Sequence, residues 1–164
     1  MSRSKLVGWG VMVAAFAVVG CGGDSPGAPK TVAKKEAIKK KEEGHSHGKG
    51  PNGGVVFDMG KYHAEFTVDH AAKECTVLFV TGDDKNAKEM AVAAKDLTLT
   101  TKETKTKEGK VVPPMTVKLV AKDENEGKAA KYVGSDPGIG NVADFEGSVT
   151  GSIDGKPSSG EFKE

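Results

Sequence analysis

Cysteine is scarce in this sequence, aromatic residues are few, and beyond the first twenty positions no long apolar run occurs. The two cysteines, Cys21 and Cys75, make no disulfide framework. Aromatic residues contribute 5% of the chain, so a core has to be built largely from Val, Leu, Ile, Ala and Met. Neither sign of charge dominates, with 24 basic side chains against 23 acidic ones. That balance removes the basic excess a nucleic-acid partner requires, and none is expected. No Cys-x-x-Cys, His-Glu-x-x-His or phosphate-loop motif is present. Nucleophilic catalysis needs a nucleophile, a base and an orienting group. The serines fall mostly in turns, on one strand face at 148–152 or in the flexible "PSSG". The chain is therefore not expected to be an enzyme.

What is present begins at the N-terminus. Arg3 and Lys5 precede an apolar run from Leu6 to Val19. Its 14 residues are too few to span a bilayer, which takes about 20. They suit the hydrophobic region of a secretory signal. Gly20-Cys21 after that run resembles the lipobox of bacterial lipoproteins. The resemblance implies a signal peptide over 1–20, cleavage before Cys21, and lipidation of Cys21 as a membrane anchor. The protein would then sit in the bacterial cell envelope, facing the periplasm or the exterior. Gly22, rather than Asp, after the cysteine favours the outer membrane by the same resemblance.

Residues 21–52 read as a tether, with "GGDSPGAPK" rich in Gly, Pro and Ser and "TVAKKEAIKKKEE" dominated by Lys and Glu. From Gly53 to Glu164 the pattern changes to period two. In "YHAEFTVD", Tyr62, Ala64, Phe66 and Val68 share one face, and His63, Glu65, Thr67 and Asp69 the other. "TVLFV" (76–80) reads as a strand buried on both faces, and "LTLTT" (97–101), "MTVKLVA" (115–121) and "FEGSVTGSI" (145–153) alternate again. Asp154-Gly155 marks a tight hairpin into a final strand. "AKEMAVAAKDL" (87–97) has a helical composition among strand neighbours and is read as a short strand near Met90 to Ala93. Short strands separated by Gly, Asp and Asn clusters predict one all-β domain, an antiparallel sandwich of immunoglobulin-like or similar type. Cys75, within "KECTVLFV", reads as a small buried hydrophobe.

Three of the four histidines lie in "HSHGKGPNGGVVFDMGKYHAEF" (45–66). On a strand, residues i and i+2 point to one face about 7 Å apart. His63 and Glu65 are thus candidate fixed ligands for a transition metal, with His45 and His47 as mobile ligands on the Gly-rich arm. Imidazole with carboxylate suits copper or zinc. Asp58 and Met59 are candidate additional ligands, a thioether at Met59 favouring reduced copper. His70, beyond the strand end, is a weaker candidate. Only neutral imidazole ligates, so acid would release such a metal.

"GPNGGVVFDMGKYHAEF" followed by "CTVLFV" resembles a segment found in two groups. One is the small lipoproteins of planctomycete-type bacteria, and that likeness runs over most of the mature chain, including its closing "FEGSVTGSIDGKPSSGEFKE". The other, over residues 44–80 only, is the metal-binding segment of periplasmic adaptor subunits of heavy-metal efflux pumps. The adaptor resemblance implies metal binding through His63 and Glu65. Asn52 stands where that pattern often has His, and the long coiled-coil hairpin of a complete adaptor is missing. The competing expectation is a non-catalytic interaction module, with incidental histidines. It would present a sheet edge or the loop "YVGSDPGIGN" to an envelope protein partner.

Overall fold

A computed structural model describes residues 47–164. The expected signal peptide, Cys21, His45 and the tether up to residue 46 lie outside the described residues. Within them there is no α-helix, and no helix is long and apolar enough to cross a membrane.

The strands are β1 (Val55–Met59), β2 (Tyr62–Asp69), β3 (Glu74–Val80), β4 (Ala94–Thr101), β5 (Thr104–Lys105), β6 (Val111–Val112), β7 (Thr116–Lys118), β8 (Val120–Lys122), β9 (Lys131–Ser135), β10 (Glu146–Ile153) and β11 (Lys156–Lys163). They form a five-stranded sheet, β1-β2-β3-β9-β8, and a four-stranded sheet, β11-β10-β4-β7, with β5 and β6 as a small separate ribbon. All named pairings are antiparallel. The expected all-β sandwich is the architecture observed.

Period-two patterning places the core between the sheets. Ala64 and Phe66 of β2, Cys75, Val77 and Phe79 of β3, Leu97 and Leu99 of β4, and Val149 and Ile153 of β10 are all buried. Most of the described aromatic residues are concentrated there: Phe57, Phe66, Phe79, Phe145, Phe162 and Tyr132 are each at most 3% exposed. Phe66 of one sheet stacks on Phe162 of the other, ring centroids 4.1 Å apart. The core is thus more aromatic at its centre than composition suggests. Asp154 and Gly155 both have positive φ, 52° and 74°, as a type I′ hairpin requires.

Two segments differ from the alternation. "MTVKLVA" reads as one strand, yet the chain changes sheet at Leu119. β7 pairs with β4 and β8 with β9, while the buried Leu119 donates its N–H to Leu97 O at 2.9 Å. Alternation persists through the corner, so the pattern carries no trace of it. In 87–93 the helical composition is overridden by two isolated bridges, Val80 to Glu89 and Val92 to Ala129, which lay the segment along the sheet with Val92 in the core.

Cys75 is fully buried, and its thiol donates to Gly134 O at 3.5 Å. Burial pushes its pKa up to about 11. This matches the buried-hydrophobe reading.

Candidate metal centre

The site lies on the outer face of the five-stranded sheet. β1 and β2 are joined by a two-residue loop, Gly60-Lys61, in which Gly60 adopts φ +67°. A tight loop fixes the register, and here it sets Asp58 directly opposite His63. Opposed residues on an antiparallel pair project to the same face. His63 Nε2 accordingly lies 3.2 Å from Asp58 Oδ1.

The third member comes from upstream. Lys49 bridges to Val55, and the chain turns through residues 50–54, where Gly53 N–H donates to Gly50 O and Gly50 N–H to Gly54 O, both at 3.0 Å. Gly53 supplies the positive φ of that turn, at +80°. The turn doubles the chain back over the sheet and puts His47 above the hairpin. His47 Nε2 is 3.2 Å from Asp58 Oδ2, and the two imidazoles meet edge-on with centroids 5.3 Å apart. Its other nitrogen, Nδ1, is 3.6 Å from Asp83 Oδ2 in the turn after β3. The His47 side chain is only 8% exposed, against 34% for His63 and 35% for Asp58. Both of its ring nitrogens are buried and neither makes an aligned hydrogen bond. Asp58 stands within ion-pair range of Nε2 but off the N–H direction, and Asp83 Oδ2 lies just beyond hydrogen-bond reach of Nδ1. Buried polar atoms in proteins are rarely left unpaired, so this imidazole calls for a partner.

His47, Asp58 and His63 can each offer one ligand atom, all within 4.8 Å of one another. Two donors bound to one tetrahedral zinc at ordinary bond lengths lie roughly 3.3 Å apart. The 3.2 Å separations run to different Asp58 oxygens, Oδ2 toward His47 and Oδ1 toward His63, so one of them serves as a donor-to-donor distance around a single ion, and it matches that spacing. The residues present therefore suit a metal ion.

The sequence-derived ligand set is redistributed. His47 and His63 come together as expected, and Asp58 joins them. Glu65 does not. It shares the face of His63, as the i, i+2 spacing predicts, but that face is covered here, and its carboxylate is fully buried. It accepts hydrogen bonds from Asn52 N–H, Asn52 Nδ2 and Gly54 N–H, each at 2.9 Å. Asn52, the departure from the adaptor-like pattern, is thus a partner of Glu65. Met59 points the other way, is fully buried in the core, and cannot reach the histidines' side of the sheet. His70 pairs through Nδ1 with Ile139 O at 2.8 Å, apart from this group. Residues 47–52, expected in the tether, pack as part of the fold. The period-two pattern starts only at Gly53 and gives no sign that a non-strand segment covers the sheet. Asp83 was legible only as turn chemistry in "TGDDKN". Comparison with family models, with curated proteins and with solved structures gave no match.

Proposed function

We propose that this chain is a non-catalytic, lipid-anchored protein of the bacterial cell envelope that binds a divalent transition metal, zinc or copper, through His47, Asp58 and His63. The observation that carries the reading is His47. It is a buried imidazole with two unpaired nitrogens, facing a carboxylate it shares with a second histidine. Two imidazoles and a carboxylate form a nitrogen–oxygen donor set, which suits Zn(II) and Cu(II). Among the described residues no sulfur joins the group: Met59 and Cys75 are both in the core. That argues against reduced copper, which prefers thiolates and thioethers. Three protein ligands leave a coordination position for water or an incoming donor. Asp83, behind Nδ1 of His47, stands where an outer carboxylate orients a metal-bound imidazole. The envelope location rests on the lipobox-like Gly20-Cys21 and its preceding apolar run.

The interaction-module reading gains less support. Tyr132 and Val133 of "YVGSDPGIGN" are buried in β9, and Ile139 is buried in the turn that follows. The exposed large apolar side chains among the described residues are Val111, Val120 and Val142, on three separate segments.

Isothermal titration with Zn(II) and with Cu(II) tests the proposal. The expected result is submicromolar one-to-one binding, abolished in His63→Ala and reduced to weak but measurable binding in His47→Ala, where Asp58 and His63 remain. Weak binding that neither substitution changes would sink it.

A further inference from the structure

We infer that Glu65 is a positioning residue for this metal centre: it latches the 50–54 turn onto the sheet and thereby holds His47 in place. The inference rests on the metal-binding reading and deepens it. Glu65 sits between Val56 and Leu78 in one cross-strand row, and both neighbours are buried. Its carboxylate is fully buried, with no ion pair among the described residues, an arrangement that persists only when hydrogen bonds replace lost water. All three of its hydrogen bonds come from Asn52 and Gly54, within the turn that carries His47. Gly50 lies so close that an added Cβ would fall 2.5 Å from Glu65 Cδ. The carboxylate therefore fills the concave side of the turn, and the turn's two glycine-to-glycine bonds close around it.

The consequence for His47 follows from chain geometry. Only Gly48 and Lys49 lie between His47 and Gly50, so a turn seated on Glu65 confines where the imidazole can lie. Without the latch, the arm must be ordered at the moment of metal binding. Bringing a free segment into place weakens affinity, whereas preorganising it strengthens affinity. His63 and Asp58, fixed by the hairpin register, do not depend on the latch.

Glu65→Gln tests this in the full chain, since it keeps the side chain's shape but places an amide donor against backbone donors. Titration with Cu(II) and Zn(II) should show affinity reduced about 10-fold or more, the range seen when residues supporting a metal ligand are lost. The Cu(II) electron paramagnetic resonance spectrum should lose the signature of one of two coordinated nitrogens. A double-mutant cycle adds a readout that general loosening would not give. In a His47→Ala background, Glu65→Gln should have no further effect on affinity. Should Glu65→Gln fail to fold, Asn52→Ala removes a single side-chain bond and should show the same nitrogen loss with a smaller affinity change. Unchanged affinity and spectrum in Glu65→Gln, with binding still abolished by His63→Ala, would overturn the latch and leave the metal reading standing. An equal loss with and without His47 would also overturn it. No binding by the unaltered chain would overturn both.

Discussion

At the scale of single residues, Asp58 is the hinge of the site, because it alone among the described residues faces both imidazoles. It is 35% exposed, so losing its charge should leave the fold nearly unaffected, as for most surface substitutions. Asp58→Asn is expected to lower metal affinity by about 100-fold or more, since a ligand counts for at least as much as the groups that only support one, with a thermal midpoint near that of the unaltered protein. Titration and a melting curve on the same sample check both parts. Asp83→Asn should weaken binding less, about 10-fold, because it would act through the orientation of His47. Cys75 gives a separate residue-scale test. Its pKa in the fold, about 11, lies above the ordinary thiol value of 9.0. A raised value means a stabilising contribution that is complete below pH 9 and lost as pH rises toward 11. Stability should therefore fall across that window in the unaltered protein and stay flatter in Cys75→Ala. Iodoacetamide at neutral pH should label the peptide containing Cys75 only after denaturant is added, as mass spectrometry would reveal.

At the scale of elements, the pleat of β2 was readable and its cover was not. Period two gave the correct face for His63 and Glu65 alike, since pleating alone decides it. It could not say that residues 47–54 would fold over that face, because the cover is a glycine-rich turn with no periodicity. Its signals are glycines required by close approach, and a glycine in a tether looks the same as a glycine under a carboxylate. The sheet change at Leu119 was hidden for a related reason: the alternation runs through it unbroken. By contrast, the Asp154-Gly155 hairpin was legible because positive φ at both positions restricts residue choice. The approach of β11 to β1 extends this to a prediction. A Cβ on Gly160 would collide with Asp58 O and the Phe57 ring. Gly160→Ala should therefore destabilise the fold by about 2 kcal/mol or more, in the range of steric disruption in a packed region. It should also weaken metal binding, since β1 must shift and Asp58 moves with it. A substitution that leaves affinity intact while lowering the melting temperature would show that the hairpin tolerates the displacement.

At the scale of the whole molecule, the metal would join two parts of the chain that local structure holds differently. Asp58 and His63 belong to the sheet, whereas His47 belongs to the segment leading back toward the expected anchor at Cys21. A ligand that binds only the folded state stabilises it by about 2.7 kcal/mol at one hundred times its dissociation constant. For a domain of this size each kcal/mol raises the melting temperature by roughly 3–6 °C. Zinc at that concentration should thus raise the midpoint by roughly 10 °C, and His63→Ala should abolish the shift. Stabilisation alone does not locate the ion, because any folded-state site would give it. The segment before Gly50 does locate it: Lys49 is exposed and adjoins the turn, so trypsin can report on whether that segment is seated. Zinc should slow cleavage at Lys49 in proportion to occupancy. If the melting temperature rises while cleavage at Lys49 is unchanged both in the unaltered chain and in Glu65→Gln, where no latch seats the arm beforehand, His47 is not among the ion's ligands.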